Sequence, residues 1–192
     1  MEKTDSKGMA VCDAGPIIHL DELDSLDIIS DFHPLIIPKS VETEIIRHRQ
    51  NALHHPGIVL KVIEIISPPE PRLLILSKAL SLDKGEIESL SLIQENPDAI
   101  FMTDDAAARL AGEELGYKVH GTIGIILRAI RKKMRTPKDV LELLNRIPKE
   151  TTLFLRSALL EKIIQKVERE YSVKKDKYFN ALFYLALCFL IF

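Results

Sequence analysis

The chain has 192 residues, of which 28% are charged and 46% hydrophobic, a balance that excludes a disordered chain and gives one domain, with or without an appendage, a sizeable core. Its formal net charge of -2 creates no global basic field, so any contact with nucleic acid must come from a local arrangement of charges. Cys12 and Cys188 match no metal-ligand spacing; Cys12 reads as a small buried hydrophobe, and a reducing cytoplasm fits.

The opening "MEKTDSKG" is polar and lacks the apolar stretch of a secretory signal. Met9–Cys12 reads as a short buried strand that runs into Asp13, and "AGP" then turns the chain. "LDELDSLDIISDF" reads as helical. "PLIIP" (Pro34–Pro38) is a buried strand bounded by prolines, and "KSVETEIIRHRQN" is a helix with Ser40 as its cap. Ile58–Ile66 is β-branched and reads as a strand, and "SPPEP" ends it before helices over Leu73–Leu80 and Lys84–Gln94.

Ala99–Thr103 is a further strand, followed by a helix over Asp105–Leu115 that Gly116 stops. "YKVHG" is the last strand, and "TIGIILRAIRKKM" is a helix. Strands alternating with helices predict a three-layer α/β/α sandwich around a mainly parallel sheet. The expected organisation is an α/β domain over 1–136, a helical extension over 137–170 and an apolar tail over 171–192. The run "YFNALFYLALCFLIF" is shorter than the roughly 20 apolar residues of a spanning helix, so a packing or dimer-forming helix is expected there rather than a membrane anchor.

Acids recur at the ends of strands. Asp13 follows the first strand, and Asp104 and Asp105 follow Ala99–Thr103. Capping of the next helix explains one acid at each place, but not two after the same strand. Ligands of open parallel sheets sit outside the carboxyl ends of the strands, where these acids would meet if the two strands are neighbours. On "LDKGEIESLSLIQ", helical spacing puts Glu86 within the stripe of Ile87, Leu90 and Ile93, and Glu88 opposite it as a solvated charge. On "VETEII" the same spacing favours Glu42 for the inward face and sets Glu44 outside its edge. Three or four convergent carboxylates suit hard cations such as Mg²⁺ or Mn²⁺. No Ser–His–Asp or Cys–His arrangement and no phosphate-binding glycine loop competes.

"VCDAGPIIHL", "LIIPKSVETEI", "LDKGEIESLSL" and "FMTDDAAARLAGEELGYKVHGTIGIILRA" together resemble the PIN-domain family, in particular its VapC-like toxin ribonucleases. The resemblance runs from about Val11 to Met134, and more loosely to Glu170. It implies metal-binding and catalytic acids at Asp13, Glu44, Glu86 and Asp104, with Asp105 as an alternative ligand beside Asp104. Glu44 is taken on this resemblance, with Glu42 in reserve. The function implied is a Mg²⁺- or Mn²⁺-dependent endoribonuclease, the toxin of a toxin–antitoxin pair, with RNA as substrate, a small antitoxin as partner and a homodimer as the assembly. Arg109, Arg128, Arg131 and Lys132 are candidates for RNA contact, within a basic cluster that extends to Lys133 and Arg135. Ala14 and Gly15 stand where many members of the family have Thr and Ser, which keeps a second reading in view: a catalytically inactive PIN domain that binds nucleic acid or protein.

Overall fold

The computed structural model describes residues 8–171. The segments 1–7 and 172–192 lie outside the described residues, and with them the expectations for the apolar tail. Five strands, β1 (Gly8–Cys12), β2 (Phe32–Pro38), β3 (Leu60–Ile63), β4 (Ile100–Met102) and β5 (Lys118–His120), form one sheet in the order β3-β2-β1-β4-β5. Every pairing is parallel. The chain builds outward from β1 to β3, then returns to the other side of β1 for β4 and β5. The topology therefore reverses between β1 and β4, where Cys12 pairs with Met102.

Parallel neighbours need crossovers, and helices supply them. They are α1 (Ala14–Glu22), α2 (Lys39–Arg49), α3 (Pro71–Leu80), α4 (Lys84–Glu95), α5 (Ala106–Glu114), α6 (Thr122–Arg131) and α7 (Pro137–Glu150), followed by a helical run over 157–171. Alternate strand residues serve opposite layers. Ala10, Cys12, Leu35, Ile37 and Met102 pack against α1, α2, α6 and α7. Val11, Ile36 and Phe101 pack against α3, α4 and α5. The result is the α/β/α sandwich expected, with a wholly parallel sheet. α7 buries Val140, Leu144 and Ile147 in the same cluster as β1, and Leu160 and Val167 of the 157–171 helix join it. Among the described residues no helix is long and apolar enough to cross a membrane.

Some boundaries differ from those expected, each for a local reason. The helix expected over "LDELDSLDIISDF" is instead the end of α1, a left-handed residue at Asp24 (φ 50°) and a 3₁₀ turn over Leu26–Ile29. The carboxylates there are surface ion-pair partners, so their periodicity carried no helix. β3 is shorter than Ile58–Ile66 because its only partner is β2. Pro38 pairs with Ile63, and beyond Pro38 the chain turns into α2 and offers nothing further to pair with. Ser40 does not cap α2, whose N-cap is Pro38; the Ser40 hydroxyl donates instead to Glu88. Gly116 ends α5 as expected, at φ 87°.

α4 lies on the sheet through Gly85, Ser89, Leu90, Leu92 and Ile93. Among the described residues, Ser89 Oγ is the buried side-chain polar atom without a hydrogen-bond partner. An orphaned buried hydroxyl costs about 1–3 kcal/mol. Ser89→Ala should therefore raise stability by about 1 kcal/mol, read as a higher urea midpoint with an unchanged slope.

Candidate functional site

The site lies at the carboxyl ends of β1 and β4. The Asp13 amide donates to the Met102 carbonyl (2.8 Å), which continues the β1–β4 pairing through the residue that leaves the sheet. Asp13 is the N-cap of α1. Its Oδ1 accepts from the Ala14 amide (2.9 Å), and its Oδ2 accepts from Thr103 Oγ1 (3.0 Å). The same Thr103 hydroxyl accepts from the Asp105 amide (3.2 Å), so one buried side chain ties the two strand ends together. The local reading of Asp13 as a cap holds. Its surroundings add to it: burial pushes its carboxyl up to about 6, against the pull of its two hydrogen bonds, and the charges of Glu44 and Asp83 add to the rise.

Glu86 occupies the first turn of α4 in a capping box. Its amide donates to Asp83 Oδ1 (2.9 Å), and its Oε2 accepts from the Asp83 amide (2.8 Å). Burial pushes Glu86 up to about 7, and the charges of Asp83, Asp105 and Asp13 push in the same direction. Asp105 is exposed and caps α5, its Oδ1 accepting from the amides of Ala107 (2.7 Å) and Ala108 (2.8 Å). Glu44, half-buried on α2, is felt at Asp13, whereas Glu42 pairs with Lys39. Asp13, Glu44, Glu86 and Asp105 thus act on one another electrostatically, with Asp83 as a fifth acid that the sequence did not single out.

Asp104 has a different setting. Its Oδ1 accepts from the Thr122 amide (2.8 Å), and its Oδ2 accepts from Thr122 Oγ1 (2.5 Å) and meets His19 Nδ1 (2.8 Å). Burial raises the Asp104 carboxyl, but the bonds from His19 and Thr122 outweigh it and hold the group below its ordinary range. Asp104 therefore clamps the end of β4 to α1 and to the start of α6. Gly121 makes this closeness feasible: a Cβ there would stand 2.6 Å from both Asp104 Oδ1 and Arg109 Nη2. His19, Thr103 and Thr122 were absent from the sequence-derived candidates, since their partners lie 85, 90 and 18 residues away in the chain.

The basic candidates separate. Arg109 donates to the Thr103 carbonyl (3.0 Å) at the rim of the acids. Arg128 makes a two-pronged contact with Asp31 and lies over the Phe32 ring, 4.2 Å from its centre. That guanidinium is committed to the fold. Arg135 is similarly bound to Asp27, while Arg131, Lys132 and Lys133 are exposed. Burial lowers the pKa of His120 at the end of β5, and Arg131, Arg109 and Arg128 lower it further, so this side of the site is positive.

A divalent cation fits the chemistry of the donor set. It is all carboxylate, it contains two acids raised by burial and by neighbouring acids, and such a set favours hard cations. Among the described residues no three acidic, His or Cys side chains stand grouped so that they could hold a metal ion together.

A family profile described as a PIN domain (DUF3368) matches residues 9–169. The chain belongs to the PIN-domain family. PIN domains are generally nucleases and typically use divalent metals, and the match extends through α7 into the last helix. No curated protein and no solved structure matches the chain.

Proposed function

We propose that this PIN domain is a metal-dependent endoribonuclease whose metal ligands are Asp13, Glu44, Glu86 and Asp105, with Asp104 holding the strand end that presents them. The observation that carries the reading is that Asp13 and Glu86, each raised by burial, are raised further by neighbouring acids (Glu44 and Asp83 at Asp13; Asp83, Asp105 and Asp13 at Glu86), which a bound cation would relieve. Bound Mg²⁺ or Mn²⁺ would supply an activated water and offset the charge that builds up on a phosphodiester under attack. Asp13 and Glu86 are set by helix caps, so their carboxylates are fixed before any ligand arrives. Thr103 keeps Asp13 and the Asp105 backbone in register. Arg109, Arg131 and Lys132 are the residues proposed to take RNA phosphates beside the acids.

A role as the toxin of a toxin–antitoxin pair, restrained by a small antitoxin, rests on the four motifs that resemble VapC-like proteins. A binding module without catalysis is favoured by one observation. A Cβ at Gly15 would lie 3.5 Å from Asp104 Oδ2, so a serine there could bring a hydroxyl to the clamp, and this chain has none. Incubation of a mixed RNA pool with the protein, with Mn²⁺ or with EDTA, decides between the two. Cleavage that EDTA stops is expected; an intact pool with measurable Mn²⁺ affinity would favour the binding module.

A further inference from the structure

Glu88 was expected to be a solvated charge opposite the buried stripe of α4, but its side chain is only 15% exposed. It receives a hydrogen bond from Ser40 Oγ (2.5 Å) and faces Lys84 Nζ at 3.6 Å. Two adjoining cavities meet at it. One, of about 310 Å³, has Ile65, Pro69 and Ile87 among its walls, with Ser67 and Ser91. The other, of about 160 Å³, reaches Ser40, Thr43 and Lys39 on α2. Ile65, Lys84 and Glu88 line both. Together they make a slot with Ile65, Pro69 and Ile87 as its apolar wall, the carboxylate of Glu88 inside it, the exposed Glu64 also on its lining, and two lysines at its rim that are 60% and 80% exposed.

The slot shares both of its helices with the acids. α2 carries Ser40 and Thr43 in the slot and Glu44 in the acid group; α4 carries Glu88 in the slot and Glu86 among the acids. In the sheet, β3 lies two places from β1 and three from β4. At about 4.8 Å per strand, that is roughly 10–15 Å, the reach of a short single strand passing over the start of α4.

We propose that this slot binds a base of the RNA substrate flanking the cleaved bond, and that Glu88 selects guanine. The proposal rests on the ribonuclease reading for its substrate class. Unpaired bases are recognised by apolar or stacking walls together with hydrogen bonds to their Watson–Crick edges. An ionised carboxylate only accepts hydrogen bonds. Guanine presents N1–H and N2–H side by side, and a carboxylate can take both. Adenine and cytosine set one amino group beside a ring acceptor, and uracil sets one N–H between two carbonyls, so each brings a lone pair towards Glu88. A phosphate on either side of the base competes with Glu42 for Lys39 and with Glu88 for Lys84.

The test is binding of the full-length protein in EDTA to fluorescent oligouridylates carrying one central G, A, C or inosine. A good two-point contact to a base edge is worth about 1–3 kcal/mol of discrimination, so roughly tenfold tighter binding of the G strand than of the A or C strand is expected. Inosine, which lacks the N2 amine, should fall between. Glu88→Gln should remove the preference: the variant should bind the G, A and C strands alike, each measured against its own binding of plain oligouridylate. Ser91→Leu, which fills the slot, should remove it as well. Equal affinity for all strands, or a G preference that survives Glu88→Gln, overturns the proposal. Cleavage of the same strands with Mn²⁺ is scored separately: no cleavage of any strand would defeat the ribonuclease reading and leave the binding result standing.

Discussion

Replacing Asp13 by Asn is expected to abolish metal-dependent cleavage while making the metal-free protein more stable at neutral pH. The Asp13 carboxyl is moved from 3.8 to about 6 in the folded chain, first by burial and then by Glu44 and Asp83. Glu86 is moved from 4.5 to about 7. A carboxyl raised on folding holds its proton longer in the native state than in the unfolded one. The contribution of these two carboxyls to the stability of the metal-free protein is therefore greatest below about pH 4 and is lost as pH rises through the native values near 6 and 7. For the buried Asp13 the loss is on the order of 2–3 kcal/mol. Asn cannot ionise, so the variant should not show that part of the fall.

The exchange preserves the local hydrogen bonds. An Asn oxygen can accept from the Ala14 amide as Asp13 Oδ1 does, and an amide nitrogen can donate to Thr103 Oγ1. What it removes is a charged oxygen donor for a hard cation. Mutation of an outer partner of a metal ligand costs about 10–100-fold in affinity or activity, so loss of a ligand should cost more than that. Thermal unfolding of both proteins between pH 4 and 8, with EDTA and with Mn²⁺, together with RNA cleavage, checks each part. Full Mn²⁺ stabilisation and cleavage in Asp13→Asn would reduce Asp13 to a cap.

What could be read from the chain and what could not divide along sequence distance. The strand–acid–helix pattern at Asp13 and at Asp104–Asp105 is local, and it put these acids at the carboxyl ends of two strands that would bring them together if they were neighbours, as β1 and β4 are. Helical spacing is local too, and it misjudged Glu88. It turned Glu42 inward, where the side chain is 18% exposed, without showing that Lys39 pairs with it, and it sent Glu88 to solvent, where α2 in fact covers it through Ser40. A helical wheel shows which way a side chain leaves its own helix, not what stands there. His19 was not singled out because Asp104, its partner, lies 85 residues on. Asp83, which caps α4, was not singled out either; its effect on Asp13 and Glu86 needs the sheet to bring three segments together.

Asn substitutions at Asp104 and Asp105, adjacent in sequence, should give opposite phenotypes. Asp105 lends one oxygen to the amides of Ala107 and Ala108, a task Asn performs as well. Asp105→Asn should therefore melt within a few tenths of a kcal/mol of the parent and lose most of its stabilisation by Mn²⁺. Asp104 receives charge-assisted bonds from His19 and from both the amide and the hydroxyl of Thr122. Bonds to charged groups contribute about 1.5–3 kcal/mol each, and Asn would keep the one from the Thr122 amide while weakening the other two. Asp104→Asn should lose about 2–4 kcal/mol at pH 7. The sign of its pH dependence follows from the depressed Asp104 carboxyl. Its stabilisation is present above the unfolded value near 3.8 and is lost as pH falls through the lower native value, so parent and variant should converge in acid. Their Mn²⁺ responses, expressed relative to each metal-free protein, separate a clamp from a ligand. If Asp104→Asn is as stable as the parent and blind to Mn²⁺, while Asp105→Asn responds normally, the two roles are exchanged and Asp104 is the metal ligand.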